Sequence, residues 1–168
     1  MILAISGKLR TGKNSVADHL IAQYHFKQGS FADKLKQICI ELFGLTHEEC
    51  YGEKTPRSRD VLQRVGVAMR EIDPDVWCKY LLKNIKEGDD AVISDVRFPN
   101  EAEMVKKYGV IIIRVNRNTG EQFGSSHISE TALDDYEKFD YVIDNNETLE
   151  SLYEKIDFIM KDVLLHGN

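Results

Sequence analysis

The sequence predicts an α/β fold in which a parallel β-sheet is flanked by helices. Several short runs are mainly apolar, without polar alternation, as in strands that are buried on both faces of a parallel sheet. These runs are ILAIS (2–6), AVIS (91–94), VIIIRV (110–115) and YVI (141–143). Helical periodicity separates them, and such alternation of strand and helix is typical of an α/β protein.

Length and composition indicate one ordinary globular domain, 1–168. A chain of 168 residues, 42% apolar and 30% charged, is long enough to bury roughly two thirds of its unfolded surface. The apolar runs are short and no cleavage site follows the first, so we expect neither a signal peptide nor a membrane span, and a cytoplasmic protein. A net charge of -6 argues against a groove for a nucleic-acid polymer, although a few cations suffice for one nucleotide.

The cysteines indicate neither a disulfide framework nor a zinc site. Cys39, Cys50 and Cys78 are odd in number and lack a C-x-x-C pair, so we interpret them as structural thiols in a reducing compartment. His47 and Cys50 have the spacing of metal ligands, but two ligands without a second pair are more often coincidence.

Helices are predicted where apolar residues recur on one face. In the C-terminal segment these residues are Leu149, Leu152, Tyr153, Ile156, Ile159, Met160, Val163 and Leu164; in the middle of the chain they are Val61, Leu62, Val65, Met69 and Ile72. Asp73 and Pro74 predict the start of another helix, as a cap residue followed by a proline in the first turn. The segments 44–56 and 117–126 are polar and irregular, which is typical of functional loops.

The stretch GKLRTGKNS (7–15) nearly matches the phosphate-binding loop G-x-x-x-x-G-K-[ST]. It follows a buried-type strand and precedes an amphipathic helix, the setting that this motif requires. Gly7 and Gly12 allow the backbone to curl so that successive N–H groups point at phosphate oxygens, and Lys13 supplies a charge. The alternative is a glycine-rich turn that only caps a helix.

A second motif, VISDVRFPNE (92–101), follows another apolar strand. Asp95 would lie at the carboxyl edge of the sheet, where open α/β folds bind ligands, in position to hold magnesium or its waters. Arg97 can form a fork to a phosphate. The alternative is a capping aspartate and a surface arginine before a helix that begins with proline.

Together with further segments, these motifs resemble the deoxynucleoside monophosphate kinases of bacteriophages. The matching segments are GKLRTGKNSVADHL (7–20), SFADKLK (30–36), TPRSRDVLQRVGVAMREIDPDVW (55–77), ISDVRFPNEAEMV (93–105), HISETALDD (127–135) and FDYVIDNNETLESL (139–152). The phosphate loop is also similar to that of dephospho-CoA kinases and of the animal-type phosphomevalonate kinases.

The resemblance implies a P-loop kinase fold with a lid segment, and transfer of the γ-phosphoryl group of ATP to a deoxynucleoside 5'-monophosphate. Carried over, the ATP-binding residues are Gly7, Arg10, Thr11, Gly12, Lys13, Asn14, Ser15, Arg114 and Asn145. The catalytic residues would be Lys13, Asp95, Arg97 and Arg117. Mg²⁺ would be held by Asp95 and by Ser15. In adenylate-kinase-type enzymes the residue directly after the lysine is often not Ser or Thr, and the hydroxyl comes one position later, as Ser15 does here. The sequence leaves open whether Asn14 or Ser15 contacts the ion.

On the acceptor side the resemblance implies a binding region made of 44–56 and about 57–86, and a lid at 117–126. The acceptor-binding residues are Lys34, Arg57, Gln63, Arg70, Arg97 and Glu130. Arg114 and Arg117 would form the base of the lid, whereas Arg59 is assigned to solvent. His127, Ser129 and Glu130 match a family motif whose chemical role does not follow from the sequence.

The expected partners are ATP and a deoxynucleoside monophosphate, with no nucleic-acid polymer and no membrane. The protein would be a monomer or homodimer, in the host cytoplasm if it is phage-encoded. Two alternatives stay open at this point: a kinase of another phosphorylated small molecule, of the dephospho-CoA or phosphomevalonate type, and a non-catalytic nucleotide-binding switch.

Overall fold

The computed structural model describes residues 1–86, 88–118 and 128–166, and these form two compact units. The first unit combines Met1–Gln28 with the chain that follows Lys86, and the second is the intervening stretch up to Lys86. Each unit is described by itself, and the expected single domain stays a prediction.

A five-stranded sheet, counted over the described residues, has the strand order β2-β3-β1-β4-β5. Its strands are β1 (Ile2–Ser6), β2 (Lys27–Gly29), β3 (Ala91–Val96), β4 (Ile111–Asn116) and β5 (Tyr141–Asp144). The central strand β1 pairs in parallel with β3 and with β4, and Ala4 lies opposite Ile93 on one side and Ile112 on the other. The pairing of β4 with β5 is also parallel. The predicted α/β fold with a central parallel sheet is therefore confirmed.

Helices occupy most of the remaining described chain. They are α1 (Lys13–Tyr24), α2 (Ala32–Phe43), α3 (His47–Tyr51), α4 (Pro56–Ile72), α5 (Val76–Asn84), α6 (Pro99–Lys107) and α7 (Leu149–His166), with a 3₁₀ turn at Ile128–Glu130. Within the ranges that the structure describes, none of these helices is both long and apolar enough to cross a bilayer.

The core of the first unit lies between the sheet and the helices α1 and α7. Leu3 and Ile5 of β1 pack in one cluster with Leu20 of α1 and with Leu152 and Ile156 of α7, all with 1% exposure or less. These contacts confirm the apolar face predicted for the C-terminal helix. This packing anchors the two ends of the loop between β1 and α1, which is the part of the unit that carries the glycine-rich motif.

Three residues of the predicted C-terminal stripe do not join this core. Tyr153 is half-buried and stacks on the ring of His19. Leu149 and Leu164 are exposed, because one begins the helix and the other lies in its last turn, beyond the end of the packed face.

The second unit is helical and contains α2, α3, α4 and α5. Cys39 and Cys50 are fully buried with Leu45, and Leu62 and Val65 of α4 pack against them. Burial raises the pKa of both thiols. Cys78 is buried as well, so all three cysteines lie in packed interiors, as expected of structural thiols.

The segment 44–56, expected to be irregular, contains the short helix α3. Thr46 Oγ1 accepts the N–H of Glu49 at 3.1 Å, and the Glu49 carboxylate accepts the N–H of Thr46 at 2.9 Å. This reciprocal capping fixes the helix start. The T-x-x-E spacing of Thr46 and Glu49 is a local signal for a helix start, although the segment is too short to show a helical period.

The helix predicted to begin at Asp73 and Pro74 begins two residues later, at Val76. The Asp73 carboxylate accepts the N–H of Asp75 at 3.0 Å and binds Lys79 Nζ at 2.8 Å. Asp73 therefore closes a local side-chain turn and does not act as the first cap.

Candidate active site

Polar and charged side chains collect at the carboxyl ends of the parallel strands. The glycine-rich loop follows β1, Asp95 and Arg97 lie at the end of β3, and Arg114 lies near the end of β4 opposite Ser6. Asn145 directly follows β5. The sheet thus brings to one edge residues that are far apart in the sequence, as open α/β folds do at their ligand sites.

The backbone of the loop takes conformations that ordinary residues avoid. Gly7 has φ 153° and Gly12, the residue before α1, has φ 105°. A side chain at Gly7 would meet the carbonyl oxygen of Val115 at 2.5 Å. Arg10 is left-handed as well, with φ 61°, and for a residue with a side chain this costs about 1 to 3 kcal/mol. The loop therefore holds a strained, curled backbone at the start of a helix.

Lys13 is folded over this loop. Its Nζ donates to the carbonyl oxygens of Gly7 at 2.7 Å and of Lys8 at 2.5 Å, and the residue is 9% exposed. The pKa of Lys13 is lowered to about 8, mainly by burial and also by the neighbouring Arg97, while Glu130 acts in the opposite direction. The ammonium group is thus held in the concave side of the loop at an electrostatic cost.

Asn145 supports the loop from the end of β5. Its Nδ2 donates to the carbonyl oxygen of Thr11 at 2.9 Å, and its backbone N–H donates to Asn116 at 2.8 Å. A Cβ at Gly12 would meet Asn145 Nδ2 at 2.5 Å. Asn145 therefore packs tightly against the loop, and its predicted approach to adenine stays a prediction.

Arg97 and Glu130 form an ion pair at the end of β3. Arg97 Nη1 donates to Glu130 Oε1 at 3.0 Å, and the other oxygen, Oε2, accepts the N–H of Leu9 at 2.7 Å. The Glu130 side chain is 10% exposed. One carboxylate thus connects the glycine-rich loop with Arg97.

The backbone of Arg97 is also fixed. The Glu101 side chain, in the first turn of α6, accepts the N–H of Arg97 at 2.8 Å and that of Phe98 at 3.1 Å, and Glu101 is buried. These two hydrogen bonds hold the turn that presents Arg97. The negative charge of Glu101 also complements the positive end of the α6 dipole.

Arg114 of β4 also forms an ion pair, with Asp134. Its guanidinium donates to Ser6 Oγ at 3.1 Å, to Asn116 Oδ1 at 3.3 Å and to Asp134 Oδ1 at 3.3 Å. The other Asp134 oxygen binds Lys8 Nζ at 2.7 Å. Asp134 therefore repeats the arrangement of Glu130, with one carboxylate joining the loop to a strand end.

The oxygen donors expected for a metal lie at the same edge. Ser15 is half-buried in the first turn of α1, and Asp95 is half-buried in β3, whereas Asn14 is exposed. A hydroxyl and a carboxylate form an oxygen donor set, which fits Mg²⁺ because this ion usually takes one or two protein ligands plus phosphate oxygens and waters.

Most of the expected acceptor residues belong to the second unit. Arg57 Nη2 donates to the carbonyl oxygen of Phe43 at 2.9 Å, and Lys34 Nζ lies over the ring of Tyr80 at 5.5 Å from its centroid. Gln63 is exposed on α4, and Arg70 is half-buried in the last turn of that helix. These contacts hold Lys34 and Arg57 in place; the acceptor roles of all these residues stay predictions.

The expected lid falls largely outside the described residues. Arg117 is exposed just after β4, and Ser129 is half-buried in the 3₁₀ turn. Residues 119–126 and His127 lie outside the described ranges, so the predictions for the lid and for His127 stay untested.

Sequence reasoning missed Glu101 and Asp134, and it named Glu130 as an acceptor-binding residue without predicting its contacts with Arg97 and Leu9. Both Glu130 and Asp134 lie in the segment HISETALDD (127–135), and Glu101 lies in the second motif. The side-chain contacts of Glu130 and Asp134 join positions at least twenty apart, whereas the cap by Glu101 is local. Only the spacing of Glu101 after Phe98 and Pro99 could have indicated a role, as a residue in the first turn of a helix.

A curled, glycine-rich loop between a parallel strand and a helix, with cations at the same sheet edge, defines a phosphate-binding α/β protein. A family model described as deoxynucleotide monophosphate kinase matches residues 57–156 of this chain. The chain belongs to the deoxynucleotide monophosphate kinase family, and it is therefore a kinase.

Individual relatives agree with this assignment. A putative deoxynucleotide monophosphate kinase of Acanthamoeba polyphaga mimivirus is 33% identical and covers 93% of this chain and 94% of its own length. The deoxynucleotide monophosphate kinase of Escherichia phage RB69 is 33% identical over 61% of this chain, which spans 44% of that protein. An uncharacterised protein of Ictalurid herpesvirus 1 is 26% identical over 92% of this chain and 68% of its own length.

Among solved structures, a sugar kinase from Janibacter sp. HTCC2649 matches with a TM-score of 0.48 and 12% identity, covering 92% of this chain and 90% of its own. This similarity is too low to carry an argument about function.

The contact between Gly12 and Asn145 predicts a specific effect of adding one methyl group. Gly12→Ala should lower the free energy of unfolding by about 2 to 4 kcal/mol, from left-handed strain plus the clash with Asn145 Nδ2. Gly109→Ala is the matched control, since Gly109 has φ 72° with nothing within 4 Å, and should cost about 1 to 2 kcal/mol. Urea denaturation measures both values.

In an Asn145→Ala background the clash with Nδ2 is gone, so the cost of Gly12→Ala should fall toward that of Gly109→Ala. Equal costs for the two glycine variants in both backgrounds would contradict the tight packing of Asn145 against the loop.

Proposed function

We propose that the protein transfers the γ-phosphoryl group of ATP to a deoxynucleoside 5'-monophosphate, giving ADP and a deoxynucleoside diphosphate. The observation that carries this proposal is the curled loop with Lys13 in its concavity and Arg97 and Arg114 at the same sheet edge. Membership of the deoxynucleotide monophosphate kinase family supports this acceptor over dephospho-CoA or phosphomevalonate.

On the donor side, the loop is suited to hold the phosphates of ATP. The N–H groups at the start of α1 point along the helix axis toward the loop, where an anion also meets the positive end of the helix dipole. In this structure the Lys13 ammonium group donates hydrogen bonds to the loop carbonyls of Gly7 and Lys8. We propose that it turns to the β- and γ-phosphates when ATP binds, with Asn145 keeping the loop curled.

Phosphoryl transfer between phosphates needs little covalent help from the protein. The transition state is loose and its charge lies on the equatorial oxygens, so positioning and preorganised cations supply the catalysis. Because the acceptor is an anionic phosphate, no general base is required. Arg97 is proposed to bind the acceptor phosphate as a fork, and Arg117 to approach the transferred group.

Ser15 and Asp95 are proposed to hold Mg²⁺, which when bound neutralises charge on the β- and γ-phosphates. Asp95 on β3 and Ser15 at the start of α1 offer oxygen atoms only, in keeping with this ion.

For the acceptor nucleotide we propose further roles that rest on the family resemblance. Gln63 would read the base through its amide, which both donates and accepts. Lys34, Arg57 and Arg70 would add positive charge. We further propose that the enzyme acts in the cytoplasm, as a monomer or homodimer.

The proposed reaction is tested by a panel of deoxynucleoside and nucleoside monophosphates with ATP and Mg²⁺, read by ADP release. We expect ADP only when a monophosphate acceptor is present, with a rate that depends on its base. ADP release that is independent of any acceptor would indicate a nucleotide-hydrolysing switch, and release with dephospho-CoA alone would indicate the other kinase class.

Lys13→Met should lower turnover by about a hundred- to a thousandfold, because it removes one preorganised electrostatic contact with the transferred phosphate. It should not lower the melting temperature, since burial already disfavours the charged ammonium in the folded protein, as its lowered pKa indicates. Lys27→Met, at an exposed surface pair with Asp89, is the control and should keep normal turnover. Near-normal turnover of Lys13→Met would remove the phosphate-loop assignment.

Arg97→Lys should raise the KM for the deoxynucleoside monophosphate and lower kcat, while the Kd for ATP stays nearly unchanged. The reason is that lysine cannot reproduce the two-pronged contact of a guanidinium with a phosphate. The same substitution at exposed Arg59 should change none of these quantities. If Arg97→Lys weakens ATP and leaves the acceptor untouched, Arg97 belongs to the donor site.

A further inference from the structure

The segment 128–134 is attached to the loop and the strand ends through two carboxylates. Glu130 joins the N–H of Leu9 to Arg97, and Asp134 joins Lys8 to Arg114. These contacts link positions that are distant in the sequence, so they do not arise from local chain geometry. Asp134 has no role in the reaction described above, and Glu130 enters it only as an expected acceptor-binding residue.

Two interpretations of Glu130 differ in what happens when substrates bind. In one, Glu130 is an internal anion that occupies a phosphate position and must leave. In the other, Glu130 stays in place and holds Arg97 ready for the acceptor phosphate. The contacts of the segment decide between them.

Leaving would be costly for the segment. Glu130 is 10% exposed and uses a different oxygen for each partner, at 2.7 Å and 3.0 Å. Asp134, four residues further on, ties the same segment to two more groups at 2.7 Å and 3.3 Å. Removing Glu130 from the site would give up both of its contacts and strain those of Asp134. The arrangement therefore favours a fixed carboxylate.

A fixed Glu130 also leaves Arg97 able to bind a phosphate. The carboxylate accepts from Nη1, which orients the planar guanidinium, and the Arg97 side chain is still 39% exposed. A guanidinium whose plane is already set loses less freedom when it binds an anion. The Glu101 carboxylate fixes the backbone of the same residue.

We propose that Glu130 is a positioning residue. Its carboxylate binds the Arg97 guanidinium and the Leu9 N–H of the phosphate loop at the same time. The acceptor phosphate therefore meets a guanidinium that is already oriented relative to the loop. This inference rests on the proposed role of Arg97. The inference gives a chemical role to Glu130 of the family motif at 127–130. Glu130 would act through Arg97 and not by touching the acceptor.

Glu130→Gln tests this directly, because an amide keeps the size of the side chain and presents its NH₂ group to either Arg97 or Leu9. We expect the KM for the deoxynucleoside monophosphate to rise and kcat to fall, each roughly tenfold, while the Kd for ATP changes by less than about twofold. Glu137→Gln, at an exposed position of the same stretch, is the matched control and should leave all three quantities unchanged.

Glu130→Asp retains the charge but is one methylene too short to reach both partners, so it should show the same pattern with a smaller loss. It also carries the test if Glu130→Gln does not fold, which a melting curve reveals. A variant that binds ATP more tightly with acceptor kinetics unchanged would overturn the proposal in favour of the internal anion.

A double-mutant cycle with Arg97→Lys separates this inference from the proposed function. If Glu130 acts through Arg97, the double variant should be scarcely worse than Arg97→Lys alone. Fully additive losses would overturn the positioning role and leave the role of Arg97 intact. No effect of Arg97→Lys on the acceptor would instead remove the proposed role of Arg97, and this inference with it.

Discussion

The concentration of positive charge at one edge of a parallel sheet is the constraint on which the rest of the site depends. Lys13 and Arg114 are buried or nearly so, and Arg97 and Lys8 lie beside them. Their mutual repulsion is visible in the lowered pKa of Lys13, to which burial contributes most and Arg97 and Arg114 add. A folded protein tolerates such a cluster only where carboxylates offset it, and Glu130 and Asp134 do so here. The site is thus a place where stability is given up for the binding of phosphate.

Contacts from several elements hold the scaffold around this charge in place. A cation stabilises a transition state only if it is in place before the reaction. The loop backbone is curled and strained, and Asn145 fixes it from β5. Glu101 fixes the backbone of Arg97. Each support comes from a different strand end or helix start, so the parallel sheet is what makes the arrangement possible.

Much of this could be predicted from the sequence, and the limits have physical causes. The strands other than β2, the glycine-rich loop and the C-terminal helix were predicted because their signals are local: apolar runs, a short motif and a repeating period. The expected burial on both faces is wrong for β5, which lies at the sheet edge and leaves Val142 exposed. Strand β2 has only three residues, too few to show a period. The carboxylates Glu130 and Asp134 could not be given partners, because the residues they contact lie far away in the chain and are brought near only by the sheet. Asp73 shows a further limit, since its side chain closes a local turn and the helix starts later.

In the proposed arrangement the loop with Lys13 holds the donor phosphates while Arg97, oriented by Glu130, holds the acceptor phosphate. The sharpest test is a crystal structure with a bisubstrate analogue, adenosine joined to a deoxynucleoside through a phosphate chain. We expect Lys13 Nζ and the Arg97 guanidinium both within hydrogen-bond distance of the phosphate chain, at its donor and acceptor ends, with Glu130 still bound to Arg97 and to the N–H of Leu9. A phosphate in the place of the Glu130 carboxylate, or Arg97 turned away from the chain, would contradict it.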